Sequence, residues 1–147
     1  MLNRWIEEDL LDTLAAQGMG CIIFTALAQG ILSDKYLNGI PQDSRVNRPG
    51  GGSLQMAHLS EENLERVRGL NEIAKARGQT LAQMALAWVL RDARVTSTLI
   101  GASSSAQIRE NVAALQNLAF SASKLADIDA LAKEGAINLW ADSSSHK

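Results

Sequence analysis

The sequence has few of the residues that mark exported, metal-binding or nucleic-acid-binding proteins. It contains one cysteine, so an internal disulfide is excluded, and Cys21 stands in an apolar stretch where a buried thiol is usual. A net charge of −2 gives no basic surface for a phosphate backbone, which argues against a nucleic-acid partner. No apolar run approaches the roughly 18 residues of a membrane span, and the acidic first segment lacks the order of a signal peptide. We therefore expect a protein of the reducing cytoplasm without membrane contact.

Catalytic and metal-binding constellations are also scarce. His58 and His146 lie far from each other and from Cys21 in the sequence, a spacing that does not indicate a metal site. No set of Ser, His and Asp lies near a strand-to-helix turn, as a nucleophilic triad would require. The sequence therefore predicts no metal ion and no nucleophilic catalysis.

What is present is an ordinary globular composition with alternating elements. The chain has 147 residues, of which 46% are apolar and 20% charged, enough for one domain with a sizeable core. Apolar periodicity, glycines and helix caps predict the following order: a helix over 5–17, a strand over 19–27, a polar loop over 28–58 with a helical turn near 31–36, helices over 60–78 and from 80, a strand over 96–102, and helices from 104 and over 121–133. The glycine-rich segment 46–58 is expected to be flexible, and the tail 141–147 to be frayed.

Capping residues support three of these helices. Ser60 precedes two acidic residues, and the pairs Thr80 with Gln83 and Ser104 with Gln107 have the capping-box spacing. Strands that each lead through a loop to a helix predict an α/β fold with two or three parallel strands. The two strands identified above are expected to be buried on both faces. Two such strands cannot form a closed sheet, so we expect the chain to be part of a larger fold.

The stretch TSTLIGASSSAQIREN, residues 96–111, ends a strand at Gly101 and enters a helix through small hydroxyl residues. Free N–H groups and the positive dipole end at such a helix start can bind a phosphate. Glycine and serine before a helix are also ordinary capping residues. The local pattern alone favours this second interpretation.

A second strand end strengthens the phosphate hypothesis. The stretch FTALAQGILSDKYLNGIPQDSR, residues 24–45, follows the other strand and carries Lys35 and Arg45 with few acidic neighbours. Together the two stretches resemble the C-terminal part of the aldo-keto reductases, and most closely the branch with the potassium-channel β subunits and the bacterial glyceraldehyde 3-phosphate reductases. In that branch the seventh barrel strand leads into SPLAxGxLTGKY and GIPxxSR, and the eighth into GASxxxQLxEN. The likeness covers residues 3–140.

The resemblance implies a fold and a cofactor. The chain would be the C-terminal part, about half, of a (β/α)8 TIM barrel that holds NADPH at the carboxyl ends of its strands. Family members transfer hydride from this cofactor to a small aldehyde or ketone. The family's binding positions fall here on Phe24, Thr25, Leu27, Gly30, Lys35, Arg45, Gly101, Ser103, Gln107, Glu110 and Asn111.

The resemblance also implies individual roles at the first strand end. Phe24 would stack on the nicotinamide ring, with Leu27 and Gly30 along the pyrophosphate. Lys35 would meet the pyrophosphate and Arg45 the 2′-phosphate, roles that suit a point charge and a planar guanidinium respectively.

At the second strand end, Gly101 and Ser103 would hold the adenosine phosphate. Gln107, Glu110 and Asn111, spaced along one helix face, would reach the adenine and its ribose phosphate. The plainer interpretation of these residues stays open. Phe24 would then be a core residue, the two basic side chains solvated loop charges, and Glu110 a surface acid.

Two departures from the family pattern bear on this site. Thr25 and Ala26 replace a Ser-Pro pair, which frees the backbone at the strand end. Asp34 replaces a glycine beside Lys35 and could weaken phosphate binding through repulsion or by pairing with the lysine.

The family's catalytic residues have no counterparts in this chain. Aldo-keto reductases use an Asp, Tyr, Lys and His tetrad on earlier strands, and Tyr36, the only tyrosine, belongs to the loop motif. We therefore expect the chain alone to be inactive and its substrate to need the missing barrel half. Core surface left exposed by a half barrel would favour homo-oligomers. A non-catalytic truncated or assembly module is the alternative; a channel-associated regulatory subunit is less favoured, because no partner-binding segment is visible.

Overall fold

The computed structural model describes residues 1–47 and 54–133, apart from the side chain of Arg45. Residues 48–53 of the predicted glycine-rich segment, the tail 141–147, Trp140 and His146 therefore lie outside the described residues. Within them the chain forms five α-helices and two short strands. The helices are α1 (Leu10–Ala16), α2 (Glu61–Ala76), α3 (Leu81–Leu90), α4 (Ser105–Val112) and α5 (Ala122–Leu131), and the strands are β1 (Cys21–Ile23) and β2 (Val95–Thr98).

Capping explains where the central helices begin. The hydroxyl of Ser60 accepts a hydrogen bond from the N–H of Asn63 at 3.3 Å, which satisfies one of the free donors of α2. Thr80 and Gln83 form the predicted capping box, with bonds of 3.2 and 3.0 Å in the two directions. Gly78 has a φ of 68°, and the helix pair is separated at this left-handed residue. These sequence predictions are confirmed.

The first predicted helix is interrupted. A 3-10 turn covers Trp5–Glu7, and the α-helix begins only at Leu10. Asp9, which precedes α1, has a φ of −134° and offers no side-chain cap. The continuous helix over 5–17 is therefore corrected to a turn and a two-turn helix, because the leucine periodicity covers only the second half of that segment.

The sheet confirms the parallel order and corrects the expected burial. Strands β1 and β2 pair in parallel, with Ile23 opposite Thr98. Both strands are shorter than predicted, and they are not buried on both faces. Cys21 is buried as expected, whereas the next residue, Ile22, is 63% exposed. In the described part of the chain, helices cover only one face of this sheet.

The core lies in the helix layer and under the loop that follows β1. Its largest fully buried side chains come from α2, α3, α5 and the loop, and include Leu70, Met84, Leu86, Ile128, Ile31, Leu32 and Tyr36. Trp88 is buried, whereas Trp5 is 51% exposed. None of the helices that the structure describes is both long and apolar enough to cross a bilayer.

Candidate functional site

The two stretches singled out in the sequence leave the sheet at the same edge. Because β1 and β2 are parallel, their carboxyl ends lie side by side. The N–H of Leu99 donates a 2.7 Å hydrogen bond to the carbonyl of Ile23, one residue before Phe24. The loop starting at Phe24 and the loop leading to α4 therefore start as neighbours. Open parallel sheets place ligands at this edge.

The first loop starts with a run of left-handed backbone. Thr25, Ala28 and Gln29 have φ angles of 58°, 48° and 61°, and Gly30 has 95°. For a β-branched residue such as Thr25 this conformation is an outlier, and clusters of this kind are found at functional sites. A residue before proline rarely adopts it. In this chain Thr25 and Ala26 replace the family's Ser-Pro pair. A proline at position 26 would disfavour the left-handed conformation that Thr25 adopts.

Surface accessibility differs along this loop. The ring of Phe24 is 55% exposed beside the strand end, which overturns the interpretation of Phe24 as a core residue. Leu27 is half-buried against the core. A side-chain carbon built on Gly30 would meet no atom within 4 Å, so the chain leaves open space there. These features leave one face of the loop accessible to a ligand.

The loop carries two basic residues, Lys35 and Arg45, and the structure describes the side chain of Lys35 only. Lys35 is exposed, and its ammonium nitrogen lies 5.7 Å from the centre of the Tyr36 ring. It forms no ion pair with Asp34, so of the two effects considered for that substitution the structure leaves repulsion of the phosphate. The backbone of Arg45 begins the 3-10 turn Arg45–Asn47, and its side chain lies outside the described residues.

The second loop ends in a capped helix. Ser104 accepts a hydrogen bond from the N–H of Gln107 at 3.2 Å. The Gln107 side chain does not complete the capping box with Ser104; its carbonyl accepts the N–H of Ser103 at 2.8 Å and the hydroxyl of Ser103 at 3.3 Å. A phosphate at this helix start would compete with Gln107 for the Ser103 donors. Gly101 is exposed, with no atom within 4 Å of a built side-chain carbon.

The three residues predicted to reach the adenine are not equally accessible. Glu110 is exposed, and Gln107 is intermediate. Asn111 is only 4% exposed, and its amide nitrogen has no hydrogen-bond partner. The carbonyl of Glu110 accepts a 3.0 Å bond from the Gln83 side chain, which ties α4 to α3. Gln107 and Glu110 are therefore accessible from solvent, whereas Asn111 is buried.

The described residues at this edge include no tyrosine or histidine placed to act as a general acid or base. Tyr36 is 1% exposed and hydrogen-bonded to Ser44, so it cannot serve as a general acid toward a ligand in the loop. The Nδ1 atom of His58 accepts the N–H of Gln55 at 3.0 Å and caps a short turn. In the described part of the chain no group of His, Cys, Asp and Glu could hold a metal ion. The strongest carboxylate shift lies near the amino end of β2, where hydrogen bonds from Arg94 lower the pKa of Asp92 to about 2.

The sequence did not indicate an open cavity that borders the first loop. It has a volume of about 510 Å³ and lies between the N-terminal segment, β1 and the end of α3. Phe24 and Thr25 contribute to its lining, together with Trp88. Arg4 and Arg91 stack on that indole at 5.0 and 3.8 Å, and burial lowers the pKa of Arg91. The sequence carries no local signal for this opening, because residues 21–24 form a continuous apolar run and the exposure of Ile22 and Phe24 is visible only in the structure.

A second apolar surface lies on α4 and the turn that follows it. Ile108, Val112 and Leu115 are each about half exposed and line a shallow concavity at α4. Leu99, which follows β2, is 63% exposed. Part of the apolar surface is thus uncovered, as the sequence predicted for a portion of a larger fold.

Comparison with known proteins gives the same family for nearly all of the chain. The family model described as the Aldo/keto reductase family matches residues 1–133. The chain is 56% identical over 147 residues to the L-glyceraldehyde 3-phosphate reductase of Escherichia coli, a match that covers 98% of this chain and 42% of that protein. It is 39% identical over 113 residues to a putative voltage-gated potassium channel subunit beta of Schizosaccharomyces pombe, which covers 75% of this chain and 33% of that protein. The chain thus spans about two fifths of the length of the first of these relatives.

Proposed function

The chain belongs to the aldo/keto reductase family, and we propose that it supplies the NADPH-binding strand ends of a reductase acting on a small aldehyde or ketone. The observation that supports this most is the meeting of both motif loops at one sheet edge, fixed by the Leu99 to Ile23 hydrogen bond. The E. coli relative is named for an aldehyde substrate, which fits the proposed substrate class.

The residues at this edge fit a dinucleotide. Exposed Phe24 offers a ring face for stacking, and exposed Lys35 offers a cation for a phosphate. The open space at Gly30 and Gly101 leaves room for the close approach of a ligand to the backbone. When bound, NADPH would supply the hydride. The chain's own residues bind and orient the cofactor, with Ser103 and Gln107 at the start of α4 as further phosphate contacts.

Turnover would need residues that this chain does not contribute. Its only tyrosine is buried and hydrogen-bonded to Ser44, so we propose that the proton donor for the carbonyl oxygen comes from another part of the full barrel. The bare face of the sheet and the cavity beside it offer apolar surface for that part to cover.

The proposal is tested by titrating the chain with NADPH and following tryptophan and cofactor fluorescence. Lys35→Ala and Arg45→Ala should each weaken binding by about tenfold, because each removes a charge-assisted phosphate contact. Lys75→Ala is the matched control, since Lys75 pairs with Glu72 on the exposed side of α2. Equal binding by the Lys35 and Lys75 variants would contradict the assignment. With glyceraldehyde as substrate the chain alone should show no cofactor oxidation, and robust turnover would refute the need for the missing part.

A second candidate function is a non-catalytic assembly module, which the exposed apolar residues around β1 and α4 favour. Such a module would form homo-oligomers and would not respond to NADPH. Light scattering after size exclusion distinguishes the two functions when it is combined with the titration. Oligomers without any cofactor response in the parent chain would favour the module.

A further inference from the structure

A buried hydrogen bond links two parts of the first loop. The hydroxyl of Tyr36 lies 3.0 Å from the hydroxyl of Ser44, and the two residues are only 1% and 0% exposed. Buried polar groups are costly without a partner, and each of these hydroxyls satisfies the other. The bond therefore fixes the distance between two positions that are separated by a glycine-containing turn.

Each partner of this bond adjoins a cation assigned to a phosphate. Tyr36 follows Lys35 in the chain, and its ring also lies 5.7 Å from the Lys35 ammonium. Ser44 immediately precedes Arg45, whose backbone starts the next 3-10 turn. Tyr36 thus contacts one cation directly and is hydrogen-bonded to the neighbour of the other.

Most of the other described hydrogen bonds of the loop join two residues in the same half of the loop. In the first half, Ser33 donates its hydroxyl to the carbonyl of Gly30 at 2.6 Å. In the second half, the Asn47 side chain donates to the carbonyl of Pro41 at 3.0 Å. Arg68 of α2 holds the turn between them through a 3.2 Å bond to the carbonyl of Leu37. The Tyr36 to Ser44 bond is the described side-chain link between the two halves.

We propose that Tyr36 is a positioning residue that fixes Lys35 relative to the backbone of Arg45, so that the two residues can serve the two phosphate groups of one dinucleotide. The proposal rests on the proposed function of the loop. A preorganised pair of cations binds more tightly than two mobile ones, because less conformational freedom is lost on binding. A tyrosine that only filled the core would keep the fold stable without affecting the choice between cofactors.

The experiment compares Tyr36→Phe, Ser44→Ala and the double variant with the parent chain in titrations with NADPH and NADH. Loss of the hydroxyl should weaken NADPH binding about five- to tenfold, the scale of one hydrogen bond. NADH lacks the 2′-phosphate, so its binding should weaken less. The double variant should be no worse than either single variant. Ser123→Ala is the control, because it removes a 3.0 Å hydroxyl pair with Ser121 at the exposed start of α5.

Hydrogen exchange of segment 33–47, measured without cofactor, gives an independent readout. Tyr36→Phe and Ser44→Ala should raise exchange across both halves of the loop to the same extent, and Ser123→Ala should not. Unchanged NADPH affinity in Tyr36→Phe, or exchange confined to the half that carries the mutation, would overturn the positioning role. If the parent chain does not bind NADPH, the proposed function fails. The exchange data then decide by themselves whether Tyr36 couples the two halves.

Discussion

The helix layer and the strand ends differ in how their residues are held. In the helix layer, α2, α3 and α5 bury side chains such as Leu70 and Met84 completely, and reciprocal caps fix where the helices start. At the strand ends, Phe24 and Leu99 are exposed and the backbone takes left-handed conformations at Thr25 and over residues 28–30. Burial stabilises the first region, whereas the second keeps accessible groups and strained backbone. The buried contacts that stabilise the chain and the proposed ligand site thus lie in different parts of one small chain.

The largest test of this division is a matched pair of leucine truncations. Leu70→Ala removes a 0% exposed side chain from α2 and should lower the free energy of unfolding by about 2–5 kcal/mol. Leu99→Ala makes the same chemical change at a 63% exposed position and should cost less than about 0.5 kcal/mol. Urea denaturation measures both. Similar losses in the two variants would show that the strand ends carry as much packing as the helix layer.

A gain in stability is expected at the strained start of the loop. Thr25→Gly should relieve the left-handed backbone, a cost of about 1–2 kcal/mol for a residue with a side chain. Glycine loses about 0.5–1 kcal/mol in backbone entropy, so the net gain is about 0–1.5 kcal/mol. Ala114→Gly in the buried turn after α4 has no such strain to relieve and should be destabilising. A lower free energy of unfolding in Thr25→Gly would show that the left-handed backbone at this position is not strained.

A smaller effect is expected from the ion pair near the amino end of the sheet. Arg94 lowers the pKa of Asp92 to about 2 through its side-chain and backbone hydrogen bonds. A depressed carboxylate pKa stabilises the folded state above the unfolded pKa of about 4, and this contribution is lost as the pH falls toward 2. Solvent screening holds it below about 1 kcal/mol.

Asp92→Asn should therefore destabilise the chain near pH 6 and be nearly neutral near pH 2, as measured by urea midpoints. Glu72→Gln, in an exposed pair of α2, is the control and should show little change at either pH. A constant effect of Asp92→Asn across this range would show that the carboxylate charge does not contribute.

The smallest change in stability is expected for Lys35→Ala, although the same variant is expected to weaken NADPH binding. Lys35→Ala removes an exposed loop side chain and should leave the urea midpoint unchanged within about 0.5 kcal/mol, although NADPH binding is expected to fall. A large loss of stability in this variant would mean that Lys35 belongs to the structural part of the molecule, and the division between the two regions would fail.

Local signals in the sequence predicted much of the helix layer. Ser60, Thr80 and Gln83 mark helix starts through bonds to residues three positions away, so the cap can be seen in the sequence itself. The same logic failed in part at Gln107, whose side chain turns to Ser103 rather than to the predicted Ser104. The spacing lets the Gln107 carbonyl accept from the N–H of either Ser103 or Ser104, and only the backbone conformation of the turn selects one donor.

The candidate site was predictable in its residue types but not in its accessibility. Apolar β-branched residues at Ile22 and Ile23 predicted a strand, yet Ile22 is exposed because nothing in the described chain packs on its face of the sheet. Tyr36 was assigned to the loop motif, and its burial against Ser44 depends on a turn that closes between them. Such contacts join positions far from the local pattern.

The sequence by itself determined the starts of α2 to α5, the parallel order of β1 and β2, and the presence of Lys35 and Arg45 on a loop that follows a strand. These features depend on hydrogen bonds and periodicities between near neighbours in the chain. Only the tertiary structure decided that Ile22 and Phe24 are exposed and that Asn111 is buried. Exposure is the outcome of packing among distant segments, and no local pattern encodes which face of a strand is left uncovered.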